Sequence, residues 1–384
     1  MGDFLPEHGE PAFESGYSRR VTTRNPRVLV AMSGGVDSSV AAALLREQGY
    51  DIAGVTLRLT PEPVGKSVFE PCCSSEAVED ARRAAQQLGI PHHVLHVIDR
   101  FEREVIDDFV RQYLAGRTPN PCVRCNLAIK FGHLLEVAGE LGADLVATGH
   151  YVRRVVREGR IALRKAVDPA KDQCYVLAGL SQTQLERALF PLGEFTKAET
   201  RERARTLNLP TANKPESQEI CFVPDDDYRR FLAERVGPPT PGPIVSTRGE
   251  VLGEHHGLIR YTVGQRKGLG IAASRPYYVV RLDVAGNTVV VGHEEETYCS
   301  SLTAREINWC SVPPRTAPFA CLAQIRYRHR PVSAIGVPAQ DALRVEFKTA
   351  ERAATPGQWV VLFDDAGYAL AAGVIDTVST LDTE

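Results

Sequence analysis

Nowhere in the 384 residues is there a run approaching the roughly 20 consecutive apolar residues that a membrane-spanning helix needs. No membrane partner is therefore expected. The first 26 residues also lack the apolar centre of a secretory signal; they are polar, rich in Glu, Arg, Gly and Pro, and are expected to form a mobile N-terminal tail. Charge of one sign is missing too. A net charge of −3 provides no long-range attraction to nucleic acid, so such a partner would have to be held by local basic patches. Internal repeats and low-complexity segments are absent. What remains is ordinary globular composition, with 43% hydrophobic and 24% charged residues, in a chain long enough for two or three domains. Nine cysteines without an export signal point to a reducing, cytoplasmic setting and to reactive or metal-binding thiols rather than a disulfide framework.

From Arg27 to about Leu209, short β-branched runs alternate with helical patterns, as in a parallel sheet with crossover helices. Strands are expected at 27–32, 52–57, 92–96 and 144–148. Helices are expected at 38–48, 75–88, 101–115, 127–141, 182–189 and 197–207. The pattern fits an α/β, doubly wound, Rossmann-like domain. Between Tyr151 and Ala166 two alternating runs flank Glu158 and Gly159, which predicts a β-hairpin. From Tyr151 to Lys171 seven basic residues stand against Glu158 and Asp168, a candidate RNA-docking patch. Beyond Pro210, short strands separated by Gly and Pro predict a small β-rich domain and then a C-terminal β-barrel. The expected division is 1–26, 27–215, 216–293 and 294–384.

The first strand runs straight into Ser33-Gly34-Gly35-Val36-Asp37-Ser38-Ser39 at the start of a helix. Two glycines allow a tight turn and a close approach to an anion, and free N–H groups at the helix N-terminus supply positive potential. A Walker loop would follow its glycines with lysine, and none follows here. The segment resembles instead the SGGxDS pyrophosphate loop of enzymes that cleave ATP to AMP and pyrophosphate, although a plain Gly-Gly turn capped by Asp37 has the same residues.

A second constellation is Gly116-Arg117-Thr118-Pro119-Asn120-Pro121-Cys122-Val123-Arg124-Cys125-Asn126. Its prolines form a rigid turn before a helix, which places Cys125 near a helix N-terminus, where a thiolate is favoured. Cys221 follows in a loop after the α/β region. A CxxC pair can also be a redox pair or half of a zinc site, but no second CxxC or HxxxH stands at suitable spacing. Cys72 and Cys73 could ligate or merely pack, while Cys174, Cys299, Cys310 and Cys321 read as small buried apolar residues.

With SGGVDSS, GRTPNPCVRCNLAIKF, ATGHYVR, KDQCYVL, SQEICFV and YTVGQRKGLGI in this order, the chain resembles the MnmA family of tRNA 2-thiouridylases from about Arg27 onward. The resemblance implies an ATP pyrophosphatase fold and ATP-dependent 2-thiolation of the wobble uridine (position 34) of tRNA. It implies an ATP site of Ala31, Met32, Ser33, Gly34, Gly35, Val36, Asp37, Ser38, Leu57 and Gly149, with ATP and Mg2+ as the groups bound. Cys125 would be the nucleophile and Cys221 the carrier of a persulfide brought by a sulfur-donor protein. Asn120, Pro121 and Cys122 would face the target base, and His150, Lys171, Asp172, Gln173, Arg326, Tyr327 and Gln358 would contact tRNA around its anticodon loop. The implied chemistry is adenylation of the uridine O2 followed by attack of sulfur at C2. Many members carry an acidic residue where Cys122 stands, so Cys122, Cys125 and Cys221 also offer the three thiols of a [4Fe–4S] cluster with one open iron. Two other readings use fewer of these features. An amide-forming ATP pyrophosphatase needs only the phosphate loop, and a non-catalytic RNA-binding protein needs only the β-rich half and the basic hairpin.

Overall fold

A computed structural model describes residues 25–61, 75–215, 220–223 and 227–381. The N-terminal tail up to residue 24, Cys72, Cys73 and the segment Ser217–Glu219 lie outside the described residues.

The strands β1 (Arg27–Ala31), β2 (Asp51–Arg58), β3 (His92–His96) and β4 (Leu145–Thr148) are followed by the hairpin β5 (Arg153–Arg157) and β6 (Arg160–Arg164), and then by the two-residue strand β7 (Ala188–Leu189). All but the hairpin form one parallel sheet in the order β3-β2-β1-β4-β7. Strand order reverses at β1, which pairs with β2 on one side and β4 on the other. In doubly wound sheets, ligands bind at the carboxyl ends of the strands at that reversal, and the Gly-Gly loop leaves β1 there. Near-continuous burial of Val28, Leu29 and Val30 follows from helices covering both faces.

Helix boundaries differ most at the cysteines. The expected helix from 127 begins six residues earlier, at Pro121, and runs through a π-helical stretch (Asn126–His133) to Glu140. Asn120 caps it, accepting from the Val123 N–H at 3.2 Å, and Pro121 takes the first helical position, where a missing N–H costs nothing. Cys125 thus lies in the second turn, and Cys122 is the thiol in the first. The expected helix at 182–189 stops at Glu186, because Ala188–Leu189 adds the fifth strand.

After the sheet comes the helix Tyr228–Val236, in a stretch that reads from sequence as β-rich; Asp227 caps its N-terminus. Strands β8 (Gly242–Ser246), β9 (Val251–His255), β10 (Tyr278–Asp283) and β11 (Thr288–Gly292) form a four-stranded sheet in the order β10-β11-β8-β9. A short 3-10 turn, Glu294–Thr297, leads to β12 (Tyr298–Asn308), β13 (Phe319–Gln324), β14 (Val332–Pro338), β15 (Leu343–Arg352), β16 (Trp359–Phe363) and β17 (Ala369–Thr380). These six close an antiparallel barrel, β12-β15-β14-β13-β16-β17, and leave no free edge.

The barrel shares a core with the parallel-sheet region. Trp359, Val361, Phe363 and Cys310 pack in one cluster with Tyr175, Leu177 and Phe131, and the Tyr175 hydroxyl donates to the Trp359 carbonyl at 2.8 Å. The basic hairpin lies at this junction, where several of the cations expected to dock RNA are engaged within the protein. Arg157 bonds Asp364 at 2.8 Å and stacks on Tyr368; Arg164 donates to the Ala366 carbonyl; Lys165 donates to Gln324; and Arg154 is buried against the Leu185 carbonyl. Local net charge could not distinguish the two uses, because either one needs Arg and Lys on a hairpin.

Candidate active site

The loop after β1 is built by its own serines. The Ser33 N–H donates to Ser38 Oγ at 3.1 Å, Ser38 Oγ donates to the Gly35 carbonyl at 3.2 Å, and Ser39 Oγ donates to the same carbonyl at 3.0 Å. Gly34 sits at φ 71°, and a Cβ there would come within 2.1 Å of the Ala77 carbonyl oxygen. Glycine is therefore required both by backbone conformation and by close approach. A second close approach comes from Gly149, just past β4, where a Cβ would lie 2.7 Å from both the Asp37 carbonyl carbon and the Ser38 nitrogen. The helix Val36–Glu47 starts at the loop with no side-chain cap on Gly35, so its first N–H groups are not satisfied by a capping side chain.

A cavity of about 220 Å³ opens over this loop, lined by Ala31, Met32, Ser33, Asp37, Ser38, Val55, Thr56, Leu57, Leu59, Lys130, Thr148, Gly149, His150 and Gln173. Of the expected nucleotide residues, Ala31, Met32, Ser33, Asp37, Ser38, Leu57 and Gly149 line it directly, while Gly34, Gly35 and Val36 shape the turn. Thr56 fixes the floor by donating to the Met32 carbonyl at 2.7 Å. Asp37 is held on two sides. Lys197 Nζ lies 2.7 and 2.8 Å from its carboxylate oxygens, and the Tyr151 hydroxyl donates to Oδ1 at 2.8 Å. Lys197 and Lys130 escape sequence reasoning, since neither stands next to the glycines.

His150 and Gln173, expected to contact tRNA, line this cavity. His150 is buried and bonded to Thr148 Oγ1 at 2.7 Å, and burial, with Lys130 nearby, depresses its pKa well below 6.5 and keeps it neutral. Gln173 accepts from the Tyr151 N–H at 2.9 Å and returns its own N–H to the Tyr151 carbonyl. Asp172 turns inward to accept the N–H groups of Ala166 and Cys174; burial still raises its pKa. Lys171 ends the turn that precedes Asp172 and Gln173, its N–H donating to the Asp168 carbonyl at 3.1 Å.

The thiols divide into a pair and an outlier. Cys125, 6% exposed, and the half-buried Cys221 belong to one apolar cluster with Leu59, Ile129 and Leu57. Phe222 anchors Cys221 there through edge contacts with Phe101 at 5.8 Å and Phe109 at 5.3 Å. Cys122 is an exposed side chain outside that cluster, yet crowding by surrounding protein pushes its thiol up while Lys130 pulls it down. None of the three forms a disulfide. Among the described residues, no group of three or more Cys, His, Asp or Glu side chains is placed to hold a metal ion, so these thiols do not form the three-point cradle of an iron–sulfur cluster.

Three parts of the molecule meet on the segment before Cys122. Gln358 Nε2 donates to the Thr118 and Pro119 carbonyls at 2.8 and 3.2 Å, Arg117 bonds Asp376 at 3.0 Å, and the Thr118 N–H donates to the Pro356 carbonyl. From the four-stranded region, Thr262 accepts from Thr118 Oγ1 at 3.4 Å, and Val284 comes so close to Gly116 that a Cβ there would lie 2.6 Å from it. Of the remaining expected RNA contacts, Tyr327 packs 6.2 Å from the Tyr175 ring and Arg326 donates to the Ala353 carbonyl at 3.4 Å, both in the turn after β13.

Comparison with known proteins matches residues 26–225 to a family described as "tRNA methyl transferase HUP domain", 229–293 to "tRNA methyl transferase PRC-barrel domain" and 299–375 to "Aminomethyltransferase beta-barrel domain". Among curated relatives, a protein of Heliobacterium modesticaldum named "tRNA-specific 2-thiouridylase MnmA" is 53% identical over 88% of this chain and 89% of its own length. Its namesake in Symbiobacterium thermophilum is 50% identical over 91% of this chain and 92% of its own. Among solved structures, the U34-tRNA thiolase NcsA of Methanococcus maripaludis overlaps 58% of this chain and 70% of its own at 19% identity and a TM-score of 0.33, too loosely to carry an argument.

Proposed function

Because the chain belongs to the MnmA family of tRNA-specific 2-thiouridylases, we propose that it uses ATP to replace O2 of the wobble uridine of tRNA with sulfur. One observation carries the site assignment: the cavity over the phosphate loop and the cluster holding Cys125 and Cys221 share Leu57 and Leu59. A nucleotide on the loop and a sulfur on either cysteine would face a common space.

In this reading the uridine O2 attacks the α-phosphorus of ATP, N3 gives up its proton, and pyrophosphate leaves across the N-terminus of the helix Val36–Glu47. The terminal sulfur of a persulfide on Cys221 then attacks C2, and AMP departs with the former O2. Cys125 attacks the Cys221 sulfur, which leaves the thiocarbonyl on the base and a Cys125–Cys221 disulfide that an external thiol must reduce. Placement of both cysteines in one apolar cluster suits that last exchange. Asn120, Pro121 and Cys122, at the start of the cysteine helix, would receive the base after it leaves the single-stranded anticodon stack. The segment Lys171 to Gln173 and the barrel residues Arg326, Tyr327 and Gln358 complete the RNA side. This reading assigns 27–215 to the nucleotide and sulfur chemistry and treats 216–293 and 294–384 as the units that position RNA and the cysteine segment.

A Mg2+ ion would enter with the triphosphate, for which Asp37 is the carboxylate at hand. A [4Fe–4S] route would require Cys122 to join the other two thiols, and as placed they do not fit, so no step is drawn through a cluster. The sulfur donor would be a cysteine desulfurase or a relay protein. No helix among the described residues is long and apolar enough to cross a membrane, and a cytoplasmic location is part of the proposal.

The test is pyrophosphate release and 2-thiouridine content, measured on unmodified tRNA for wild type, Cys125→Ala and Cys221→Ala. Both variants are expected to lose thiolation while Cys221→Ala still releases pyrophosphate. Thiolation at wild-type level in both variants would overturn the relay. Iron and labile sulfide in anaerobically purified protein would overturn the cluster-free reading.

A further inference from the structure

We propose that Lys197 is the phosphate-binding cation of the nucleotide site, supplied from a remote helix in place of the lysine that a Walker loop carries within itself. The inference rests on the ATP reading of the cavity and adds a residue to it.

A triphosphate brings several negative charges to a loop whose own contribution is backbone N–H groups and a helix dipole. Asp37, in the first turn of that helix and on the cavity wall, adds another negative charge. Among the described residues lining the cavity, Lys130 is the one Lys or Arg, and it reaches in from the helix that carries the cysteines. Lys197 makes up the deficit at the loop itself. Its Nζ contacts both carboxylate oxygens of Asp37, with a side chain only 11% exposed. The ammonium therefore stands one carboxylate away from the phosphate cradle.

Its mounting is stiff. Lys197 is the first residue of the helix Lys197–Thr206, whose start is held by a Thr196–Glu199 capping box and by the Lys197 N–H donating to Asp168 at 3.0 Å. Helix stability does not account for a lysine there, since a cation in the first turn opposes the helix dipole. The Tyr151 ring lies 5.8 Å from the ammonium, and its hydroxyl donates to Asp37, so the carboxylate keeps a partner when the ammonium turns toward a phosphate oxygen.

The experiment measures equilibrium binding of ATP, pyrophosphate and AMP by calorimetry to full-length wild type, Lys197→Met and Lys197→Arg. Lys197→Met is expected to bind ATP and pyrophosphate on the order of ten- to a hundredfold more weakly, as loss of a charged hydrogen bond implies, with AMP affinity unchanged. Lys197→Arg should recover most of the loss. AMP serves as the internal control for folding, because it needs the same cavity without the outer phosphates. Equal weakening for AMP and ATP would make Lys197 a packing residue and overturn the inference, as would unchanged ATP affinity in Lys197→Met. Wild type that binds none of the three would overturn the ATP reading itself.

Discussion

The two halves of the proposed reaction are built in opposite ways. At the phosphate loop, the serine hydrogen bonds that fix the turn all run within Ser33–Ser39, and Gly149, Ala77, Tyr151 and Lys197 reach it from elsewhere. At the sulfur end, Cys125 lies on a helix whose approach segment is gripped by Gln358 and Asp376 from the barrel and by Thr262 and Val284 from the four-stranded region, while Cys221 arrives on a separate segment pinned by Phe222. A site of the first kind survives as long as its few consecutive residues survive. One of the second kind depends on the docking of parts far apart in the chain, and it can lose chemistry without losing nucleotide binding.

The largest effect that would sharpen this contrast is loss of sulfur transfer alone. Cys125→Ala should abolish thiolation, measured as 2-thiouridine by mass analysis of digested tRNA, with ATP affinity within about threefold of wild type, since the mutation removes one sulfur and no loop contact. Next comes the mirror experiment. Gly34→Ala combines a left-handed backbone with a clash against the Ala77 carbonyl, and a loss of about 3 kcal/mol in unfolding free energy together with loss of ATP binding is expected. Wild-type ATP affinity in that variant would show that the loop is not the phosphate cradle.

Gln358→Ala tests the long-range grip. It leaves the Thr118 and Pro119 carbonyls without their donor, so stability should fall by about 1–2 kcal/mol and amide exchange around 117–123 should rise. Thiolation should fall more than pyrophosphate release; equal losses would mean that the barrel supports both ends alike. A smaller effect concerns the hairpin. Arg157→Gln breaks the pair with Asp364, whose members are 38% and 25% exposed, and should cost at most about 1 kcal/mol while leaving the salt dependence of tRNA binding unchanged. A shallower salt slope would return the hairpin to the RNA surface.

The smallest effect is a pH dependence. His150 is neutral in the folded protein because burial lowers its pKa below 6.5, whereas in the unfolded chain it protonates near that value. Its contribution to stability is therefore complete above about pH 6.5 and is lost as pH falls below it, at up to about 1.4 kcal/mol per pH unit for one proton. His92, also lowered by burial, adds in the same direction. His150→Gln should flatten part of the slope between pH 5 and 6.5 in denaturant titrations, and an unchanged slope would remove His150 as its source.

What could be read in advance follows the same division. The parallel sheet, the hairpin and the Gly-Gly loop were legible because each is specified by neighbours: alternating or continuous apolar runs, a Glu158-Gly159 turn, two glycines before a helix. The start of the cysteine helix was legible in principle from Asn120-Pro121, a cap followed by a proline at the first helical position, but the same pair also reads as a turn. The helix Tyr228–Val236 was masked by surrounding β-rich texture, since it buries Leu232 as its one fully enclosed side chain and shows little helical periodicity. Nothing local marks Lys197, which stands 160 positions from the Asp37 it pairs with.

The sequence by itself determined the phosphate turn, the parallel-sheet strands on either side of it, and the presence of cysteines beside a helix. Local backbone preferences and apolar periodicity act over a few residues, so they are written where they operate. Tertiary structure alone decided that Cys125 and Cys221 share one apolar cluster while Cys122 stands exposed outside it, that the basic hairpin holds the barrel, and that a distant lysine meets the loop. Those outcomes depend on which surfaces bury each other, a contest settled by the whole chain at once.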